Sequence, residues 1–232
     1  MKYLILSDIH IGNPLFKDIY RLKELLIDKN FDCLILNGDI FDVWEKSFEK
    51  ITRDYSCFIS LLNRLSTERS VIYVMGNHDH SKEELSTIFP YIKFVNEYKV
   101  NNTIFIHGHE YDNFIKDFSY VAKVLFYVQW IFERIGLNIQ AHCREVMHSV
   151  SMKRQKKYYN DLVSKIEQQS VKDYNDKGFK NIVLGHTHMP KLIVSSDFKY
   201  INSGDWIHSK TYAIMEDNKF VLYNIDGSEY TC

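Results

Sequence analysis

The chain has 232 residues, with 29 basic and 30 acidic side chains and a formal net charge of −1. That length can bury a sizeable core in one domain, and 45% hydrophobic with 25% charged residues is the make-up of an ordinary globular protein. Near-neutrality excludes a global pull toward nucleic acid or anionic membrane, so any basic surface has to be local and no nucleic-acid partner is expected. Cys33, Cys57, Cys143 and Cys232 stand far apart with no CxxC pair, which suits free thiols in a reducing cytoplasm. Residues 1–6 are too short for a signal-peptide apolar region and read instead as a first strand.

In chain order, residues 3–6 form a short aliphatic run, and residues 15–28 carry apolar side chains at Leu15, Ile19, Leu22, Leu25 and Leu26, the spacing of an amphipathic helix. A second run at 33–36 precedes another helical pattern over 51–65, with Tyr55, Phe58, Ile59, Leu62 and Leu65. Further runs follow at 71–75 and 103–106. Continuous apolar runs suit strands buried on both faces, and their alternation with helices predicts parallel crossover units. From 182 onward, short strands at 182–184, 192–194, 199–201, 211–215 and 220–223 are joined by turn residues, which predicts a mostly antiparallel half. The two halves together predict an α/β protein, a layered α/β/β/α sandwich with mixed sheets. Between them lies residues 114–177, read as a helical insertion in a single domain spanning 1–232. It holds an apolar stretch at 118–132, a basic cluster of Lys153, Arg154, Lys156 and Lys157, and a polar helix.

Five motifs carry the chemistry: Asp8-Ile9-His10, Gly38-Asp39-Ile40-Phe41-Asp42, Gly76-Asn77-His78-Asp79, His107-Gly108-His109 and Gly185-His186-Thr187-His188. Each follows a predicted strand, and in open α/β sheets the carboxyl ends of strands converge on one crevice. Carboxylate and amide oxygen combined with neutral imidazole suits two divalent ions sharing one carboxylate, manganese first, with iron, zinc or magnesium as alternatives, rather than an all-oxygen calcium cage. Paired metals of this kind attack phosphate esters with water. Asp42 reads two ways, as a brace for a neighbouring ligand or as a cap on the turn into the Trp44 region. His109 reads either as a substrate contact or as a turn residue.

The ordered set D-x-H, G-D-x-x-D, G-N-H-D, H-G-H and G-H-T-H resembles the calcineurin-like metallophosphoesterase superfamily from Asp8 to His188. The resemblance implies one metal held by Asp8, His10, Asp39 and His188, and a second held by the bridging Asp39 with Asn77, His107 and His186. It further implies a metal-bridging hydroxide attacking phosphorus, with His78 beside the phosphate as acid or charge stabiliser and Asp79 orienting His78. The tail Tyr200-Ile201-Asn202-Ser203-Gly204-Asp205-Trp206-Ile207, followed by Lys210-Thr211-Tyr212-Ala213, with the insertion, resembles the UDP-2,3-diacylglucosamine pyrophosphatase group, in which the insertion forms a lid over acyl chains. That likeness implies a nucleotide-linked lipid substrate, a cytoplasmic enzyme and peripheral contact with the inner face of the membrane. The alternative is a general phosphodiesterase or phosphomonoesterase on nucleotides or small esters. A non-catalytic binding module on the same fold would show lost ligands or a lost His78, and both are kept.

Overall fold

A computed structural model describes residues 1–112 and 152–231. The chain divides into two compact units, Met1–His109 with Ser170–Cys232, and Glu110–Gln169. The expected insertion at 114–177 begins inside the second unit and ends inside the first. Its apolar stretch at 118–132 and Cys143 lie outside the described residues, whereas the expected polar helix is present at Met152–Asp176. Among the described residues no helix is long and apolar enough to cross a membrane.

Two mixed sheets form the first unit. In the first sheet, β1 (Lys2–Leu6), β2 (Cys33–Asn37), β3 (Ser70–Val74) and β4 (Lys93–Val95) run parallel. The late strands β10 (Thr211–Glu216) and β11 (Lys219–Asn224) extend it antiparallel beside β1. In the second sheet, β6 (Thr103–Ile106), β7 (Asn181–Leu184) and β9 (Lys199–Asn202) pair parallel, flanked by the antiparallel edges β5 (Glu97–Val100) and β8 (Lys191–Val194).

Strand periodicity sorts the side chains between layers, because successive residues point to opposite faces. Leu4 and Leu6 of β1, Leu34 and Leu36 of β2, and Val71 and Tyr73 of β3 pack into a core with helices α1 (Ile19–Asp28), α2 (Phe48–Asp54), α3 (Ser56–Glu68) and α4 (Lys82–Ile88). Their neighbours Tyr3, Ile5, Cys33, Ile35, Ile72 and Val74 face the other way and meet Phe105, Val183 and Ile201 of the second sheet. Burial of the Cys33 thiol between the sheets pushes its pKa up to about 12, which makes it inert. On the outer side of the second sheet, the Tyr174 hydroxyl of α5 (Met152–Asp176) donates to Glu97 at 3.3 Å.

Three expectations need correction. The run at 103–106 is a strand, but β6 belongs to the second sheet, and the late strands are shared out, β10 and β11 to the first sheet and the parallel β7 and β9 to the second. A short apolar run reports burial on both faces and carries no record of which sheet it joins. The helical pattern at 51–65 is two helices meeting at Tyr55, and α1 begins at Ile19 because the Asn13-Pro14 turn, closed by Phe16 N–H donating to the Asn13 carbonyl, precedes it. The elements α4, β4 and β5 were not expected. Ser81, which caps α4 by accepting from Glu84 N–H with an acidic residue at the same third position, was the readable sign of it.

Phe41 is fully buried among the rings of Phe48, Tyr73 and Phe89, with centroids 5.6, 6.5 and 5.9 Å away. Phe41→Ala is expected to cost about 3–5 kcal/mol in urea unfolding; a loss under about 1 kcal/mol would contradict this packing.

Candidate metal centre

The site is built where strands of both sheets end. The loops after β1 and β2 stay zipped together, Asp8 N–H donating to the Gly38 carbonyl at 3.0 Å and His10 N–H to the Asp39 carbonyl at 3.0 Å. Asp8, His10, Asp39, His186 and His188 all hold left-handed backbone, with φ between 50° and 63°. Such conformations cost on the order of 1–3 kcal/mol each for non-glycine residues and persist only where surroundings over-determine them. Glycines allow the elements to close up: a Cβ on Gly38 would collide with the His107 imidazole, and one on Gly76 with Asp39.

Three groups of ligand atoms result, the atoms within each lying within 4.8 Å of one another: His10 with Asp42 and His78, and, from the ligands the resemblance implies, Asp8 with His10 and His188 and Asp39 with His107 and His186. Asp39 stands between the last two, with Oδ2 3.1 Å from His107 Nε2 and 4.0 Å from His10 Nε2. His188 Nε2 lies 3.3 Å from Asp8 Oδ1 and 3.2 Å from His10 Nε2. The His186 N–H donates to both oxygens of Asp8 at 3.0 Å. His107 places Nδ1 3.0 Å from the Asn37 carbonyl, which turns its Nε2 toward Asp39.

Burial works against charge on both aspartates, yet His188 beside Asp8 and His107 beside Asp39 hold the carboxyls below the usual range, Asp39 furthest. Burial likewise opposes charge on His107, but Asp39, with Asp8 behind it, raises the imidazole to about 10. Asn77 has both side-chain amide atoms buried without a hydrogen-bond partner. A buried, unpartnered amide in the residue before His78, whose N–H meets Asp39, together with anionic oxygens and converging imidazoles, fits divalent cations.

The surroundings of His78 differ from expectation. Asp79 does not orient it: among the described residues Asp79 accepts from the backbone N–H groups of Asp39 (2.8 Å), Ile40 (2.9 Å), Phe41 (3.1 Å) and Gly76 (2.9 Å) and from the Tyr73 hydroxyl. A carboxylate so engaged ties the β2 and β3 loops together and has no capacity left for an imidazole. Asp42 takes the orienting role, with Oδ1 3.1 Å from His78 Nδ1 and Oδ2 3.2 Å from His10 Nδ1. The two imidazoles and Asn13 outweigh burial and keep its carboxyl well below the ordinary range. So both readings of Asp42 hold: its carboxylate braces His10 and His78, and its carbonyl accepts from the N–H groups of Glu45 and Lys46 in the turn around Trp44. Burial disfavours charge on His78, but Asp42 and Asp39 together raise its pKa. Asn13, which donates from Nδ2 to Asp42 Oδ2 at 3.0 Å, was missed; it lies only three residues beyond His10, in the turn closed by Pro14.

A family model described as calcineurin-like phosphoesterase matches residues 1–206. The chain belongs to that family. It is therefore a phosphoester hydrolase, of a family that implies divalent metal ions. This metallophosphoesterase is 28% identical over 235 residues to a UDP-2,3-diacylglucosamine hydrolase of Wigglesworthia glossinidia brevipalpis, covering 94% of this chain and 92% of the relative. It is 21% identical to a like-named hydrolase of Psychromonas ingrahamii, with 96% of each chain covered. Among solved structures, a phosphoesterase from E. coli superposes with a TM-score of 0.51 at 16% identity, covering 100% of this chain and 97% of the other, which shows the fold.

In this metallophosphoesterase the 202–206 tail serves the site from behind. Trp206 is fully buried and its backbone N–H donates to the Asp8 carbonyl at 3.0 Å, while Asp205 closes its own turn by accepting from the backbone N–H groups of Ile207, His208 and Ser209. The other oxygen-to-ring approach, Asp205 Oδ2 to His188 Nδ1, is 3.7 Å. His109 lies beside the centre, its ring 5.5 Å from that of His107 and 6.4 Å from that of His186.

Asp79→Ala strands four backbone donors, and each buried unsatisfied donor costs about 1–3 kcal/mol. Chemical denaturation should show a loss of at least about 2 kcal/mol. Full stability with reduced turnover would instead support an orienting role on His78.

Proposed function

We propose that this metallophosphoesterase cleaves the pyrophosphate bond of a UDP-linked, diacylated glucosamine, releasing UMP and a lipid monosaccharide phosphate. The observation that carries this reading is the near full-length match to two hydrolases named for that substrate, on a chain whose hydrolytic residues converge. Asp8, His10, Asp39 and His188 would hold one divalent cation, and Asp39, Asn77, His107 and His186 the other, with manganese as the ion that best suits the mixed oxygen and imidazole set. When bound, such a pair supplies activated water and neutralises charge gathering on phosphorus.

The protein residues do the rest. Asp39, zipped to the β1 loop and accepting from His78 N–H at 2.8 Å, fixes the separation of the two ligand groups. His78 presents Nε2 to the phosphate as proton donor for the leaving oxygen, with Nδ1 engaged by Asp42 on the opposite edge of the ring. Supply of such a substrate places the enzyme in the cytoplasm with peripheral contact at the inner face of the membrane.

With Mn²⁺, turnover of UDP-2,3-diacylglucosamine should exceed that of bis(4-nitrophenyl) phosphate in kcat/KM; equal values would favour a general phosphodiesterase. Asp39→Ala and His186→Ala should each lower activity on both by at least about 10³-fold, as should chelation, with metal content falling in parallel. His78→Ala should cost about 10²–10⁴-fold while bound metal, measured by elemental analysis, stays at the wild-type level. Loss of both metals in that variant would reassign His78 to metal binding.

A further inference from the structure

Trp44 lies on the loop between β2 and α2, and its indole stacks on the His78 imidazole with ring centroids 4.1 Å apart and planes at 29°. Its side chain is 37% exposed, so burial does not explain its placement. The loop is pinned from both ends of the histidine. Val43 N–H donates to the His78 carbonyl at 3.1 Å, and the preceding Asp42 holds Nδ1. The N–H groups of Glu45 and Lys46 close the turn onto the Asp42 carbonyl at 3.3 and 3.2 Å, which fixes where Trp44 emerges. The His10 ring meets His78 edge-on, with centroids 4.9 Å apart at 86°.

A single hydrogen bond at Nδ1 leaves an imidazole free to swing about that bond, and a flat group over one face removes the swing. We propose that Trp44 is a positioning residue that clamps the His78 ring so that Nε2 points at the leaving-group oxygen. This rests on the proton-donor reading of His78 given above.

The test uses the full chain loaded with Mn²⁺ and two diesters of the same nucleotide, one leaving as 4-nitrophenolate and one as an alkoxide. A proton donor matters most to the poor leaving group. Trp44→Leu is expected to lower kcat about tenfold or more on the alkyl ester and about twofold or less on the nitrophenyl ester. KM, metal content and the unfolding midpoint should stay near wild type, and Trp44→Phe should restore most of the alkyl-ester rate. In a His78→Ala background, Trp44→Leu should add no further loss, because the two act as one unit. Equal losses on both esters, multiplicative losses in the double variant, or a change confined to KM would overturn the role of Trp44 while leaving that of His78 intact. A His78→Ala enzyme with the same loss on both esters would overturn the donor reading, and the clamp with it.

Discussion

Two fully buried carboxylates, Asp8 and Asp39, sit beside each other's imidazole partners, and the structure around them is organised by the need to compensate that charge. Isolated anions cannot be buried without large cost. Here the compensation comes from imidazoles, from backbone N–H groups such as those of His186 and His78, and from the cations for which the orphaned Asn77 amide and the converging ring nitrogens are suited. The compensating groups arrive from the ends of strands in both sheets, so the site exists only when both sheets are assembled. The conformational cost of five left-handed non-glycine residues is the visible sign of that requirement.

Two aspartates outside the ligand sets that the resemblance implies divide the supporting work. Asp79 gathers backbone donors from the β2 and β3 loops and so holds Asp39 at its height above the sheet. Asp42 instead gathers side chains, joining His10 of one ligand group to His78 through a single carboxylate. The first sets backbone geometry and the second sets ring orientation. Swapping their roles would leave either four amides unpaired or an imidazole free to turn. Behind them, Trp206 packs in the helix-side core while its backbone N–H holds the Asp8 carbonyl, so the tail is tied to the loop that carries Asp8.

Much of this was legible before any coordinates. Nine of the strands were marked by apolar runs of three to five residues, and the five polar motifs behind them contained every member of the three ligand groups. The elements that escaped notice were those with weak patterns. β5, Glu97–Val100, alternates exposed and half-buried residues at a sheet edge, and β4 is only three residues long, so neither carries the apolar run that marks an interior strand. Helix α4 was hidden because its seven residues hold one buried side chain, Leu85.

The sequence by itself determined which chemistry is available, because ligand type is a property of the residue and the strand-to-turn spacing of each motif is local. It also determined the layering, since alternation along β1, β2 and β3 assigns each side chain a face. Only the tertiary structure decided which sheet each strand joins, as with β6 and β10, because pairing depends on partners far along the chain. It also decided between neighbours that sequence cannot separate. Asp79 is adjacent to His78 yet serves the backbone of another loop, while Asp42, thirty-six residues away, holds the imidazole. Hydrogen bonds follow distance and direction in space, and adjacency along a tightly turned chain supplies neither.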